Sequence, residues 1–303
     1  MRVLVTGGHG FVGVHVCREL LANGFDVQVL RRCAFDGTPD SMLAAASVAV
    51  ADLRDKAAVA QAVQSFAPSF VVHLAARIAA PSADNAGDWD IFEVNTQGTA
   101  NLLQSCTRLQ SRPAVVYTST MSVYDYEHPR YLPVDERHPV APTTSYGLSK
   151  HLAEMLCQHY AHRFSGHLAL LRLPGVYGPG RGAGLIYNLL VSASQGKDVR
   201  LGSLEMRRDF IYVKDVAHSI LLAIRKLQEG HSTLCNISGG DVHTLSGLAE
   251  IARAVVGRGP RISQNGTATA SDFWFDPATA ETELGFRPRT VKSAMEDFWA
   301  SMK

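Results

Sequence analysis

The sequence has few cysteines, no long hydrophobic run and almost no net charge. Five cysteines occur in 303 residues, and no two of them form a C-x-x-C pair: Cys17, Cys33, Cys106, Cys157 and Cys235. An odd number of widely spaced cysteines indicates neither a disulfide framework nor a zinc site. We therefore expect no bound metal and a reducing, cytoplasmic setting.

The balance of charge also excludes some partners. Lysine and arginine number 29 against 28 acidic residues, which gives a net charge of +1. Such a balance creates no broad field for binding nucleic acid or anionic lipid. No segment approaches the roughly 20 apolar residues that cross a membrane, and residues 1–5 leave no room for a signal-peptide core. We expect a soluble, untargeted protein with no nucleic-acid or membrane partner.

Through the first two-thirds of the chain, short apolar runs alternate with longer helical patterns. The runs lack strict polar alternation and cover residues 3–5, 27–30, 70–74, 114–117 and 168–173. Helical spacing without proline covers residues 14–22, 56–66 and 96–109. This order is typical of buried parallel strands joined by right-handed crossovers. It predicts an α/β fold with a doubly wound parallel sheet.

A change in residue composition and pattern after Pro174 indicates a second domain. Residues 175–182 form a loop-forming cluster of glycine and proline, and the later patterns are shorter and less regular. The helical pattern of 213–227 and the strand-like run of 234–237 would extend the first sheet. We predict a first domain of residues 1–173 plus about 208–238, and a smaller C-terminal α/β substrate domain of about 174–207 plus 239–303.

A glycine-rich segment follows the first predicted strand and opens the first predicted helix. Residues 6–13, Thr-Gly-Gly-His-Gly-Phe-Val-Gly, satisfy both G-x-x-G-x-x-G and G-x-G-x-x-G. Glycine permits a tight turn and the close approach of a pyrophosphate, whose charge meets N–H groups at the helix N-terminus. The pattern predicts a Rossmann-type dinucleotide site with contacts from Gly7, Gly10, Phe11 and Val12. The alternative is a merely tight strand-to-helix turn.

The end of the second predicted strand bears on the choice of dinucleotide. NAD-binding versions of this site carry an acidic residue there, whereas Leu30 is followed by Arg31 and Arg32. Guanidinium groups suit a 2′-phosphate, so NADP is favoured over NAD. If the two arginines belong to a solvated surface turn, the choice of cofactor stays open. Asp52 and Leu53, after the third strand-like run, could hold the adenine edge.

Tyr146 and Lys150 lie four residues apart, and hence on one face of a predicted helix that Ser145 could cap. A tyrosine with a pKa of about 10 is a poor base at neutral pH. A nearby lysine cation stabilises the phenolate and lowers the pKa of the tyrosine. We expect Tyr146 to accept a hydroxyl proton while hydride leaves for nicotinamide.

Together these residues resemble the short-chain dehydrogenase/reductase superfamily, in its extended branch of NAD-dependent nucleotide-sugar epimerases, dehydratases and reductases. The resemblance covers essentially the whole chain. Further motifs follow in the family's order: Asp52-Leu53, His73-Leu74-Ala75-Ala76, and the segments at 95–103, 173–179 and 208–216. The resemblance implies cofactor contacts that also include Leu74, Ala75, Ala76, Tyr146, Lys150 and Pro174.

The resemblance also assigns catalytic and substrate roles. It implies that Thr120, four residues before Tyr124, hydrogen-bonds the reacting oxygen beside Tyr146 and Lys150, with Ser119 as the competing candidate. It implies that Arg208 contacts substrate diphosphate, as a bidentate guanidinium can. The alternative for Arg208 is an ion pair to Asp209 or Asp272.

Two differences from the family's sequence pattern reduce the number of expected activities. Sugar-nucleotide dehydratases of this branch carry Asp-Glu after the threonine, and the presence of Met121-Ser122 argues against dehydration. Epimerases commonly have Asn where this chain has Gly175. We expect an NAD(P)-dependent nucleotide-sugar epimerase or 4-ketoreductase; the alternatives are an NADPH-dependent reductase of a non-sugar ketone and a non-catalytic NAD(P)-binding sensor. The resemblance further implies a homodimer through the helices at 96–109 and 146–164.

Overall fold

The structure is a computed structural model that describes residues 1–33, 45–78, 88–164, 166–258, 262–264 and 271–303. The chain divides into two compact units. The first contains Met1–Tyr124, Val140–Arg172 and Ala217–Cys235, and the second contains Asp125–Pro139, Leu173–Val216 and Asn236–Lys303. In the part of the chain that is described, no helix is long and apolar enough to span a membrane.

The strands, numbered along the chain, are β1 Arg2–Thr6, β2 Asp26–Arg31, β3 Ser47–Val50, β4 Phe70–His73, β5 Ala114–Thr120, β6 Leu168–Leu173, β7 Gly175–Tyr177, β8 Val199–Leu201, β9 Arg207–Arg208, β10 Phe210–Tyr212, β11 Thr233–Asn236, β12 His243–Thr244 and β13 Ile262–Gln264. The α-helices are α1 Phe11–Ala22, α2 Lys56–Phe66, α3 Asp88–Phe92, α4 Gly98–Cys106, α5 Ser145–Phe164, α6 Leu185–Gln195, α7 Val213–Gln228, α8 Leu245–Val256, α9 Ala278–Leu284 and α10 Val291–Ser301. A π-helical turn, Glu93–Gln97, leads into α4, and a 3-10 turn, Met121–Val123, follows β5.

A seven-stranded sheet in the order β11-β6-β5-β4-β1-β2-β3 organises the first unit. β1 pairs in parallel with β2 and β4, β4 pairs in parallel with β5, and β2 pairs in parallel with β3. Every residue of β4 and β6 is buried, which explains their unbroken apolar runs. The predicted doubly wound, Rossmann-type α/β sheet is confirmed.

A buried ion pair ties α5 to the sheet. The guanidinium of Arg172 on β6 donates to both carboxylate oxygens of Glu154 on α5, at 3.0 and 2.8 Å, and to the hydroxyl of Tyr124 at 2.6 Å. All three residues are almost completely buried. Such a pair stabilises the fold only while both partners are present, because a lone buried charge costs several kcal/mol. The contact fixes where α5 lies on β6.

The second unit has its own core, formed by α6, α8 and α10 around Leu189, Leu248 and Met295. Its strands form short pairs: β7 with β10, β9 with β12, and β8 with β13. The buried carboxylate of Asp209 accepts hydrogen bonds from Gly239 N at 2.9 Å and Phe275 N at 3.3 Å. Burial raises the pKa of Asp209 to about 6.

The division into units differs from the predicted domain boundaries mainly at two segments, with smaller shifts at Leu173 and residues 236–238. Residues 125–139 belong to the second unit, where Val134 N donates to Trp274 O at 2.9 Å. Residues 208–216 also belong there, because β10 pairs with β7. Pairing between distant segments decides both assignments, and local sequence patterns carry no signal for it. The roles of the domains, dinucleotide binding and substrate binding, stay predictions.

Candidate active site

A cavity of about 380 Å³ in the first unit lies beside the carboxyl ends of β1, β2, β3 and β4. Eight of the predicted cofactor residues line it: Gly7, Gly10, Arg31, Arg32, Asp52, Leu53, Ala75 and Ala76. Phe11 and Val12 open α1, and Leu74 directly precedes Ala75, but the structure does not place these three in the cavity wall. Tyr146 and Lys150 lie on α5, and Pro174 lies in the second unit.

The glycine loop makes close backbone contacts that a side chain would prevent. Gly7 has φ of +71°, and a Cβ added there would lie 2.9 Å from Ala75 N. A Cβ at Gly13 would overlap Gly7 O and lie 2.6 Å from the Cα of Gly8. Gly10 precedes α1 without a side-chain cap. The amino end of α1 and the bare loop therefore form a cradle that fits a pyrophosphate.

The cavity wall at the end of β2 is cationic. Arg31 and Arg32 line it, and burial together with the charge of Arg31 lowers the pKa of His9. Asp52 is engaged by Arg54, whose Nη2 and Nε donate to Oδ2 and Oδ1 at 2.7 and 3.1 Å. This contact lowers the pKa of Asp52. The Asp52 carboxylate is thus already paired with Arg54, and Arg31 and Arg32 bring positive charge to this wall.

Thr120 and Tyr146 come together as predicted, at the end of β5 and the start of α5, and their side chains are hydrogen bonded to each other. The helix is capped by Thr144, whose Oγ1 accepts from Gly147 N at 3.0 Å, and the predicted cap Ser145 is instead its first residue. A Cβ at Gly147 would overlap Ser122 O. Glycine at this position lets α5 approach the end of β5.

Burial changes the predicted acid–base chemistry. The sequence predicts that Lys150 lowers the pKa of Tyr146, and this expectation is wrong for the protein alone: burial raises the pKa of Tyr146, and the hydrogen bond from Thr120 opposes the rise. Burial also lowers the pKa of Lys150, to about 8. Both shifts follow from the cost of a charge in a low-dielectric interior. The resting tyrosine is therefore a phenol, which can donate a proton.

Asn95 joins the cavity wall to α5. Its side chain accepts from Arg77 N at 2.7 Å, and its amide donates to Arg77 O and to Ser149 Oγ, both at 2.9 Å. Ser149 Oγ donates onward to Tyr146 O at 2.8 Å. The sequence motif contains Asn95, but no role was predicted for it. Its buried amide, in the π-helical turn, fixes the position of the start of α5 relative to the loop after β4.

In the second unit, Arg208 forms neither predicted ion pair. Its guanidinium donates to Tyr126 O at 3.2 Å, whereas Asp272 pairs with Arg207 at 2.9 Å and Asp209 binds backbone N–H groups. Burial lowers the pKa of Arg208. A half-buried guanidinium with capacity for further acceptors suits an anionic group, and the diphosphate role stays a prediction.

The departure at Gly175 has a local explanation. β7 and β10 place Gly175 opposite Phe210, and a Cβ at Gly175 would lie 3.0 Å from the Phe210 ring. Asparagine would therefore require this ring to move.

Comparison with known proteins places this arrangement in a family. A sequence model described as the NAD dependent epimerase/dehydratase family matches residues 3–238. The chain belongs to this family. The resemblance predicted from the sequence is therefore confirmed.

Individual members of the epimerase/dehydratase family match over nearly their whole length. A protein of Methanocaldococcus jannaschii provisionally named UDP-glucose 4-epimerase is 32% identical over 94% of this chain and 93% of its own. A dTDP-4-dehydro-6-deoxy-D-allose reductase of a Streptomyces species is 28% identical over 97% and 94%. The structure of Thermus thermophilus UDP-glucose 4-epimerase in complex with NAD matches with a TM-score of 0.82 and 27% identity, over 99% and 98%.

The glycine cradle yields a direct prediction. Gly13→Ala should abolish dinucleotide binding, because its Cβ would overlap Gly7 O and displace the loop. Gly182→Ala, where a Cβ meets nothing within 4 Å, should bind dinucleotide like the parent. Isothermal titration with NADPH and NADH, on variants shown to be folded by circular dichroism, checks both. Unchanged affinity in a folded Gly13→Ala protein would show that the dinucleotide binds elsewhere.

Proposed function

We propose that this member of the family is an NAD(P)-dependent nucleotide-sugar epimerase or 4-ketoreductase. The observation that carries the proposal is the hydrogen-bonded pair Thr120–Tyr146 in the same unit as the glycine cradle. Relatives with these two activities match nearly the whole chain, which supports the substrate class.

In the proposed reaction, Tyr146 moves the proton and Thr120 orients the reacting oxygen. A nicotinamide cofactor, when bound, supplies or accepts a hydride at the sugar carbon. In the direction of reduction, the phenol of Tyr146 donates its proton to the ketone oxygen, which Thr120 holds by a hydrogen bond. In the direction of oxidation, Tyr146 accepts that proton as a phenolate beside the Lys150 cation.

The protonation state of the resting site suits the reduction of a ketone, a step that epimerases and ketoreductases share. Burial raises the pKa of Tyr146, so the phenol dominates at neutral pH and the general acid is ready without prior proton transfer. The 3-10 turn Met121–Val123 places no carboxylate after Thr120. Elimination of water needs a second acid and base there, so dehydration does not fit.

Removal of the phenol tests the proposed function. Tyr146→Phe should lower turnover with 4-keto nucleotide sugars, or epimerisation of UDP-hexoses, by about 10²- to 10⁴-fold, since general acid–base catalysis contributes that much. The affinity for dinucleotide should change little. Tyr131→Phe, which removes the hydroxyl of an exposed tyrosine that donates to Asp135, is the matched control.

Retained turnover in the Tyr146→Phe variant would refute the mechanism. Dinucleotide binding by the wild-type protein without turnover of any sugar nucleotide would favour the sensor alternative. Reduction of non-sugar ketones alone would favour that other class of reductase.

We further infer that NADP is the preferred dinucleotide, because Arg31 and Arg32 line the cavity while Asp52 is held by Arg54. Arg31→Ser should weaken NADPH binding by about 10- to 100-fold, the loss expected for a charged hydrogen bond, and leave NADH binding nearly unchanged. Arg137→Ser, an exposed arginine of the second unit, serves as the control. Equal losses for both dinucleotides would overturn the preference.

We also propose a homodimer through α4 and α5. Leu148 and Met155 are 41% and 51% exposed and lie seven residues apart on one side of α5. Met155→Asp should shift the mass measured by sedimentation velocity from dimer to monomer. Arg163→Asp, near the end of the same helix, should leave the mass unchanged. A monomeric wild-type protein would contradict the proposal.

The remaining partners follow from the charge of the chain. Its net charge of +1 supports the inference that it binds no nucleic acid, and its five free, scattered cysteines support the inference that it works in a reducing cytoplasm. Retention of the pure protein on a heparin or DNA column at physiological ionic strength would contradict the first inference, and a membrane-bound or exported fraction in its own cells would contradict the second.

A further inference from the structure

A row of polar side chains crosses three neighbouring strands beneath α5. Thr6 on β1 is in register with His73 on β4, and His73 is in register with Tyr117 on β5. The rings of His73 and Tyr117 lie 5.5 Å apart, and the Nζ of Lys150 lies 4.1 Å from the centroid of the Tyr117 ring. All of these side chains are almost completely buried. The row ends on the cation of the catalytic helix.

Burial keeps the ring of His73 neutral, and its hydrogen bonds fix which ring nitrogen carries the proton. Thr99 Oγ1 donates to Asn95 O at 2.5 Å, so toward His73 Nε2, 2.9 Å away, it accepts. His73 Nδ1 then accepts from the hydroxyl of Thr6 at 2.6 Å. Burial and the charge of Lys150 together lower the pKa of His73 to about 3. No second cation therefore competes with Lys150 for the π-face of Tyr117.

The hydroxyl of Tyr117 is not what keeps this residue in place. It is buried and has no hydrogen-bond partner within the described residues. The ring face, in contrast, is within the distance at which a cation over an aromatic ring is attracted by its quadrupole.

We propose that the ring face of Tyr117 binds the Lys150 ammonium by a cation–π interaction, and that Tyr117 is thereby a positioning residue of the active site. The inference rests on the function proposed above for Lys150. Tyr117 is not among the residues that line the cofactor cavity, and it acts through the lysine.

Other titratable groups near Lys150 lie on α5 and β4. Glu154 and Cys157 on α5 raise the pKa of Lys150, and burial lowers it by more, to about 8. Glu154 is shared with Arg172 on β6, which takes both of its oxygens. Tyr146 is a neutral phenol and His73 a neutral ring. The π-face of Tyr117 thus favours the charged form of a lysine whose carboxylate neighbour is already engaged.

The test measures the titration of Lys150 directly. Protein labelled with ¹³C at lysine Cε is titrated by NMR, and Lys150→Arg assigns the signal. Because the ring favours the ammonium form, its removal must lower the pKa of Lys150. In Tyr117→Met, which fills much of the ring's volume without a π-face, the pKa should fall by about 0.5 to 1 pH unit. In Tyr117→Phe, which keeps the face, it should change by less than about 0.3 unit.

Fluorinated phenylalanines at position 117 provide a series at nearly constant volume. Each added fluorine weakens the ring quadrupole, so the pKa of Lys150 should fall stepwise from phenylalanine to trifluorophenylalanine. This series decides the question if the methionine variant does not fold. A pKa that is independent of fluorination, or a fall in Tyr117→Phe as large as that in Tyr117→Met, would overturn the proposal.

The same variants separate this inference from the proposed function. The lysine titration requires no dinucleotide, so it is interpretable even if the wild-type protein binds none, which would refute the function alone. If dinucleotide binds, its affinity should decline with rising pH along the Lys150 titration, and this decline should move to lower pH in Tyr117→Met. A decline at unchanged pH would show that the ring does not position the functional cation.

Discussion

The close approach of β1 and β4 at their carboxyl ends is the constraint on which the site depends. Thr6 and His73 are paired across these strands, and Thr6 Oγ1 also accepts from Ala75 N at 3.2 Å. The chain leaves both strands at this point, into the glycine loop and into the loop that carries Ala75. Only a residue without a side chain fits at Gly7. The cavity exists because buried polar contacts hold the starts of the two loops, after β1 and after β4, at a fixed separation.

The two buried cations of the first unit are compensated differently, and the difference suits their tasks. Arg172 has a bidentate carboxylate and a hydroxyl, so it stays charged and fixes α5 on the sheet. Lys150 has a ring face and part of the field of Glu154, and its pKa falls from 10.5 to about 8. The fall corresponds to about 3 kcal/mol of uncompensated burial cost. A lysine cation whose burial is only partly compensated is stabilised by any further hydrogen-bond acceptor that approaches it.

Much of the fold was predictable because parallel strands buried on both faces give plain apolar runs, as β1, β4 and β6 do. The placement of Tyr146 and Lys150 on one helix was predictable because the two residues are close in sequence. Contacts between distant segments were not predictable, because they depend on how strands and helices are aligned in the fold. Examples are the packing of residues 125–139 in the second unit, the hydrogen bond from Asn95 to Ser149 and the contact of Lys150 with the Tyr117 ring. The pKa of Tyr146 was predicted in the wrong direction because the sequence shows its neighbour but not its burial.

The most direct test of the account follows the hydride. The protein is supplied with NADPH deuterated at the transferable position of nicotinamide and with a 4-keto nucleotide sugar, and the products are analysed by mass spectrometry and NMR. The account predicts deuterium at C4 of the sugar in the wild-type product, and incorporation that is about 10²- to 10⁴-fold slower when Tyr146 is replaced by phenylalanine. Deuterium that remains on the dinucleotide while the wild-type protein binds both molecules would contradict hydride transfer at this site.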